Sequence, residues 1–188
     1  MPSMSVSSLA MPIVSLLLTL ISASGIAQTH CSEADGEFTH FSCKIVGSKK
    51  VASLCGGYAV PNYPATEYLQ YRFGKIGKVE FAYPPSKENS LTKFEGTYFS
   101  KYSYVSYLFI NDKALYEIEL SENYGKNKPR ISAVINVEND KLKTRLECKN
   151  PIDASYWDSL INLSPSTFKY TGDGKNSFLY MYHNRILK

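Results

Sequence analysis

The sequence predicts a mainly β fold: an antiparallel β-sandwich or open barrel with one short helix in the C-terminal half. Three observations carry this expectation. Apolar and polar residues alternate at period two through most of the chain, and turn residues separate the runs. Aromatic residues are abundant, with 15 Tyr and 9 Phe, and such side chains suit a pleated, half-buried surface. The long Ala/Leu/Glu/Lys stretches expected of helices are missing.

Residues 1–27 read as a cleaved signal peptide. A short apolar region starts near Met11 and centres on Leu16-Leu17-Leu18-Thr19-Leu20-Ile21, with no Lys or Arg before it. Small residues follow, placing Gly25 and Ala27 at the −3 and −1 positions of a cleavage site. The run is shorter than the roughly 18–20 apolar residues that span a bilayer, so no membrane span is expected. Gln28-Thr29-His30 ahead of Cys31 do not form a lipobox. Residues 28–188 then form a single disulfide-bonded β domain, large enough for one core. Its expected location is periplasmic or secreted, soluble after cleavage.

All four cysteines, Cys31, Cys43, Cys55 and Cys148, follow the leader, and an even count in an exported chain argues for two disulfides. Of the three pairings, Cys43–Cys55 with Cys31–Cys148 is preferred: one closes a short loop and the other ties the N-terminus to a distant strand. No Cys-x-x-Cys pair supports zinc.

The elements follow in order. Phe41, Cys43 and Ile45 share one face of a first strand, and Gly47-Ser48-Lys49-Lys50 turns into Val51, Ser53 and Cys55. Leu69, Tyr71 and Phe73 oppose Tyr68, Gln70 and Arg72 in the next. A turn at Gly74-Lys75-Ile76-Gly77-Lys78 leads to Val79, Phe81 and Tyr83, and Pro84-Pro85 stops that strand. Tyr102 to Ile110 is apolar on both faces, as in a strand that is central or covered by a partner. Asn111-Asp112 turns into Ala114, Tyr116, Ile118 and Leu120, with Glu117 and Glu119 outward. Ile131, Ala133, Ile135 and Val137 alternate with polar residues, and Glu138-Asn139-Asp140 leads to Leu142, Thr144, Leu146 and Cys148. Asp153 to Leu163 reads as the helix, capped by Asp153, with Trp157, Leu160 and Ile161 on one side and Pro165 ending it. A last strand is expected from about Phe178 to Leu187.

No chemistry-bearing motif stands out, and the catalytic, cofactor and metal expectations are all none. His30, His40 and His183 lack ligand spacing and are read as solvated or structural. No Gly-x-Ser-x-Gly elbow is present, and paired cysteines leave no nucleophilic thiol. Two acids meeting in space could still form a glycosidase pair. The net charge of +4 is mild: it suits an ordinary soluble domain first and an approach to an anionic surface second, and it is too diffuse for nucleic acid, which is not an expected partner. Tyr71, Arg72, Tyr98, Tyr102 and Tyr104 are the candidate partner-binding residues, since Tyr and Arg anchor interfaces. The competing reading places them in the core and in cross-strand pairs.

The stretch Phe41-Ser42-Cys43, Ser53-Leu54-Cys55, Tyr68-Leu69-Gln70-Tyr71-Arg72-Phe73-Gly74 and Val79-Glu80-Phe81-Ala82-Tyr83-Pro84 resembles small exported Gram-negative proteins of unassigned activity. It covers under a third of the chain. As an exported disulfide-bonded β domain, the chain is also similar to the periplasmic lysozyme inhibitors and immunity proteins. Their Ser-Gly-x-x-Tyr loop is absent; Glu95-Gly96-Thr97-Tyr98 does not match it, so no inhibitory residue carries over. The resulting expectation is a non-enzymatic binding domain with a protein partner in the envelope, an inhibitor or immunity protein against a cell-wall hydrolase. The alternative is an envelope hydrolase with spatially paired carboxylates.

Overall fold

The computed structural model describes residues 27–60, 63–99, 104–125, 128–157 and 169–171, and these are mainly β. The leader, Tyr102, the helical segment beyond Trp157 and the last expected strand lie outside the described residues. In chain order the strands are β1 (Glu37–Ile45), β2 (Lys50–Val60), β3 (Tyr63–Lys75), β4 (Lys78–Tyr83) and β5 (Glu95–Phe99). They continue as β6 (Tyr104–Asn111), β7 (Ala114–Gly125), β8 (Lys128–Glu138), β9 (Lys143–Asp153) and β10 (Lys169–Thr171). All belong to one sheet, ordered β10-β5-β6-β7-β8-β9-β1-β2-β3-β4. Every neighbouring pair is antiparallel except β10 with β5.

The sheet is two antiparallel meanders, β1–β4 and β5–β9, sewn together where β9 lies against β1. It curls until its two halves meet. Tyr71 of β3 lies 5.3 Å from Phe109 of β6, and Phe81 of β4 stacks on Tyr116 of β7 at 5.4 Å. Between the halves sit Phe41, Leu54, Leu69, Tyr107, Ile118 and Ile135, all fully buried. Alternation assigns all of these but Leu54 to the inner faces, because side chains at i and i+2 share a face whatever the strand pairs with. In β2 the expected face of Val51, Ser53 and Cys55 is the outer one, and Ala52 and Leu54 meet the core instead. Strand β6 is buried on its other face too, at Ser106 and Leu108.

Two irregularities shape the strands. In β1, Thr39 opposes Cys55 and Phe41 opposes Leu54, so His40 is an extra bulged residue. At the end of β3, Gly74 sits at φ 155°, where an added Cβ would collide with the Lys78 carbonyl oxygen. Only glycine fits there.

One further expectation is corrected. The disulfides are Cys31–Cys55 and Cys43–Cys148, with Cα separations of 5.3 and 5.5 Å, in place of the preferred Cys43–Cys55 and Cys31–Cys148. Register explains the difference. Cys43 opposes Ala52, so Cys55, three residues further along β2, points to the other face of the sheet. Cys43 instead meets Cys148 on the inner face of the adjacent strand. Most of the helix expected over Asp153–Leu163 lies outside the described residues, and its first residue belongs to β9. Asp153 ends β9 opposite Ser42, and its Oδ1 accepts from the Ser155 backbone N–H at 3.1 Å and the Ser155 hydroxyl at 2.9 Å. The Trp157 N–H donates to the Ala154 carbonyl at 3.1 Å, and its ring drops into the core against Phe41 and Tyr107.

Candidate functional site

Two polar constellations stand on the sheet's outer face. The first surrounds Glu37, at the start of β1, whose side chain is only 3% exposed. Arg72 on β3 forks onto it, donating from Nη1 to Oε2 and from Nη2 to Oε1, each at 2.6 Å. Lys87 Nζ donates to Oε1 at 2.9 Å, the Tyr68 hydroxyl donates at 2.5 Å, and the Ser32 N–H donates to Oε2 at 2.9 Å. Burial alone would raise the carboxyl's pKa. The bonds from Arg72, Lys87, Tyr68 and Ser32 outweigh it and hold Glu37 well below the usual carboxylate range.

The network reaches further. Arg72 Nη1 also donates to the His30 carbonyl at 2.9 Å, and its Nε donates to Gln70 Oε1 at 2.8 Å. Gln70 Nε2 donates to the Pro84 carbonyl at 2.8 Å. Beside it, the Ser42 hydroxyl donates to the Gln28 carbonyl, and the His30 N–H donates to the Ser53 hydroxyl. Residues 28–32 therefore form a strap over β1–β3, held by the Cys31–Cys55 bond and the Glu37–Arg72 pair. Glu37 accepts five hydrogen bonds, which saturates two oxygens with about four lone-pair directions. It has no capacity left to take a substrate proton. This constellation is a clamp.

The second constellation is a shallow groove of about 220 Å³ lined by Glu119, Ser121, Ser132, Val134, Arg145 and Glu147, with Ala133 and Cys148 beneath. It crosses β7, β8 and β9. Glu119 opposes Val134, which opposes Glu147, and one step along Glu117 opposes Asn136, which opposes Arg145. Asn136 Nδ2 donates to Glu117 Oε2 at 3.1 Å and to Glu119 Oε2 at 3.4 Å. Arg145 Nη1 stands 3.9 Å from Glu119. Burial and then the Glu117 charge push the Glu119 carboxyl up, and Arg145 and Asn136 offset this only in part. The groove thus has a deficit of positive charge at Glu119.

Of the partner-binding residues expected from the sequence, Tyr102 lies outside the described residues, and Tyr71 and Arg72, adjacent in β3, do not share a face. Tyr71 is a core residue, 2% exposed, and burial pushes its hydroxyl pKa up. Arg72 is engaged in the clamp. Tyr98 opposes Val105, and Tyr104 opposes Phe99 and Ser121. Tyr104 shares its face with Ser106 and Leu108, which are buried. All four cysteines are in disulfides. His40 is structural: it is fully buried in the bulge, its Nδ1 bonded to the Tyr156 carbonyl at 2.9 Å. Among the described residues, no group of three or more His, Cys, Asp and Glu could hold a metal ion.

Sequence reasoning missed the Glu37 clamp and the groove. The polar alternation of Gln70 and Arg72 was a signal for the first, and the outward Glu117 and Glu119 for the second. Comparison with known families, curated proteins and solved structures returns no match to this chain.

Proposed function

We propose that the chain is an exported, non-enzymatic binding domain whose groove across β7–β9 takes a cationic segment of a protein partner. The partner class is a basic cell-wall hydrolase, in keeping with the resemblance to inhibitors and immunity proteins. One observation carries the reading: Glu117 and Glu119 project side by side from one strand toward a shared Asn136, in an open groove. Parallel carboxylates can hold a cation between them. They cannot address opposite faces of one scissile bond, as a glycosidase pair must. Export is supported by the leader pattern and by two disulfides of the kind that persist in oxidising compartments. We read the curled sheet as an open barrel, with β3 and β4 packing ring to ring on β6 and β7.

The second reading, an envelope hydrolase, rests on the same two acids, whose carboxylates meet at one amide nitrogen of Asn136. Turbidity of a peptidoglycan suspension separates the two. Basic wall hydrolases of the muramidase and amidase classes are expected to clear it more slowly when the protein is added, and Glu119→Lys is expected to restore clearing. No slowing with either class, together with no heat of binding in calorimetry, overturns the binding reading. Clearing by the protein alone that Glu119→Gln abolishes would install the hydrolase in its place.

A further inference from the structure

Four of the five large hydrophobic side chains exposed among the described residues are Val46, Ile76, Val79 and Leu142, between 45% and 52% exposed. The strand register gathers them at one end of the sheet. Lys50 opposes Lys75, and Lys75 opposes Lys78, so the β1–β2 and β3–β4 turns lie side by side. The Val46 N–H donates to the Glu147 carbonyl at 2.9 Å, and the chain from there back to Leu142 runs outward at the same end. Glu138 opposes both Lys143 and Leu115, and Asn111 opposes Ala114, which brings the β6–β7 turn alongside.

Turns at a sheet end are normally polar. Here the turn geometry does not call for branched apolar side chains. Gly47 and Gly77 supply the positive φ values, 71° and 78°, that the two hairpins need. Lysines surround the apolar tips. Lys49, Lys75, Lys78 and Lys141 are exposed, while Lys50 and Lys143 reach Glu80 and Glu138 at 2.6 and 3.4 Å. Asp112 and Asp140 are the remaining carboxylates of these turns, so positive charge prevails at this end.

We propose that this end of the sheet docks onto an anionic phospholipid bilayer. Val46, Ile76 and Leu142 enter the boundary between headgroups and acyl chains while the lysines meet the phosphates. Long lysine stems can lie along that boundary with their ammonium groups in water. The combination decides the occupant. A polyanion in solution would be held by the lysines and gain nothing from the apolar tips. A protein partner favours one contiguous apolar patch, whereas these side chains stand on three separate turns and the start of β4. Docking here leaves the β7–β9 groove uncovered, so the proposal stands apart from the binding reading above.

Co-sedimentation of the disulfide-bonded protein with vesicles tests it, using phosphatidylcholine alone and an equimolar mixture with phosphatidylglycerol. Binding to the mixed vesicles is expected, weakening as salt rises, with little binding to the neutral ones. Lys49→Gln and Lys78→Gln should each weaken binding about five-fold. The Ile76→Ser, Leu142→Ser pair should reduce what survives at physiological salt without moving the melting temperature, since both side chains already face water. Equal binding to neutral and anionic vesicles overturns the proposal, and so does indifference to both sets of changes. It is equally overturned if soluble polyphosphate binds while vesicles do not, or if the apolar pair undoes a dimer in sedimentation equilibrium and no vesicle binding occurs.

Discussion

Acid should destabilise this protein well above the pH at which carboxylates protonate, and His40 is the reason. The imidazole is fully buried in the β1 bulge, against Phe38 at 4.5 Å between ring centroids, with Nδ1 on the Tyr156 carbonyl. Burial disfavours the charged ring, and the bond to Tyr156 compensates only in part, so its pKa falls from 6.5 to about 4. Between those values the unfolded chain takes up a proton that the folded one refuses. Stability is then complete above about pH 6.5 and declines as pH falls toward 4, where the folded state also begins to protonate. At about 1.36 kcal/mol per pKa unit the loss comes to about 3 kcal/mol. That is a large part of the roughly 5–15 kcal/mol that holds a domain together. Urea unfolding followed by far-UV circular dichroism from pH 7 to 4 measures it. His40→Asn supplies the control, because its amide nitrogen can take the Nδ1 position and still donate to Tyr156. The variant should be less stable at pH 7, having lost ring volume, but should show little of the decline between pH 6.5 and 5. Glu37, held low by its donors, loses its contribution only as pH drops below its ordinary 4.5. Equal slopes for wild type and variant above pH 5 would refute the reasoning.

Two other outcomes follow from the clamp and the staples. Glu37→Gln should cost about 3–5 kcal/mol, since it leaves Arg72 without its carboxylate, and Arg72→Met somewhat less, since Glu37 keeps Lys87; the double change should cost less than the sum, as a double-mutant cycle in urea would show. Peptide mapping without reduction should recover Cys31–Cys55 and Cys43–Cys148. Removing the second bond, which spans 105 residues, should lower stability by about 1 kcal/mol more than removing the first, which spans 24, on the loop-entropy model.

The inner faces of β1, β3, β6, β7 and β8 were legible because face membership is a local property. Phe41, Cys43 and Ile45 sit together whatever strand lies beside them, and so do Leu69 with Tyr71 and Ile118 with Leu120. Of the helix expected over Asp153–Leu163, only the first residues are described: Asp153 pairs with Ser42 as the end of β9, while its carboxylate accepts from the Ser155 N–H as a cap would. The groove was half legible: Glu117 and Glu119 read as outward, but their meeting with Asn136 depends on the β7–β8 register.

What the sequence determined by itself was the class of structure and the parity of β1, β3, β6, β7 and β8, since period-two alternation and turn chemistry act over a few residues. What only the tertiary structure decided was which strands are neighbours. The β9–β1 seam joins residues about a hundred positions apart, and from it follow the Cys43–Cys148 bond and the joining of the two meanders into one curled sheet. The Glu37–Arg72 clamp and the gathering of Val46, Ile76 and Leu142 at one lysine-rimmed end likewise depend on register between segments distant in the chain. Those contacts are set by burying one shared core, a condition no short window of sequence contains.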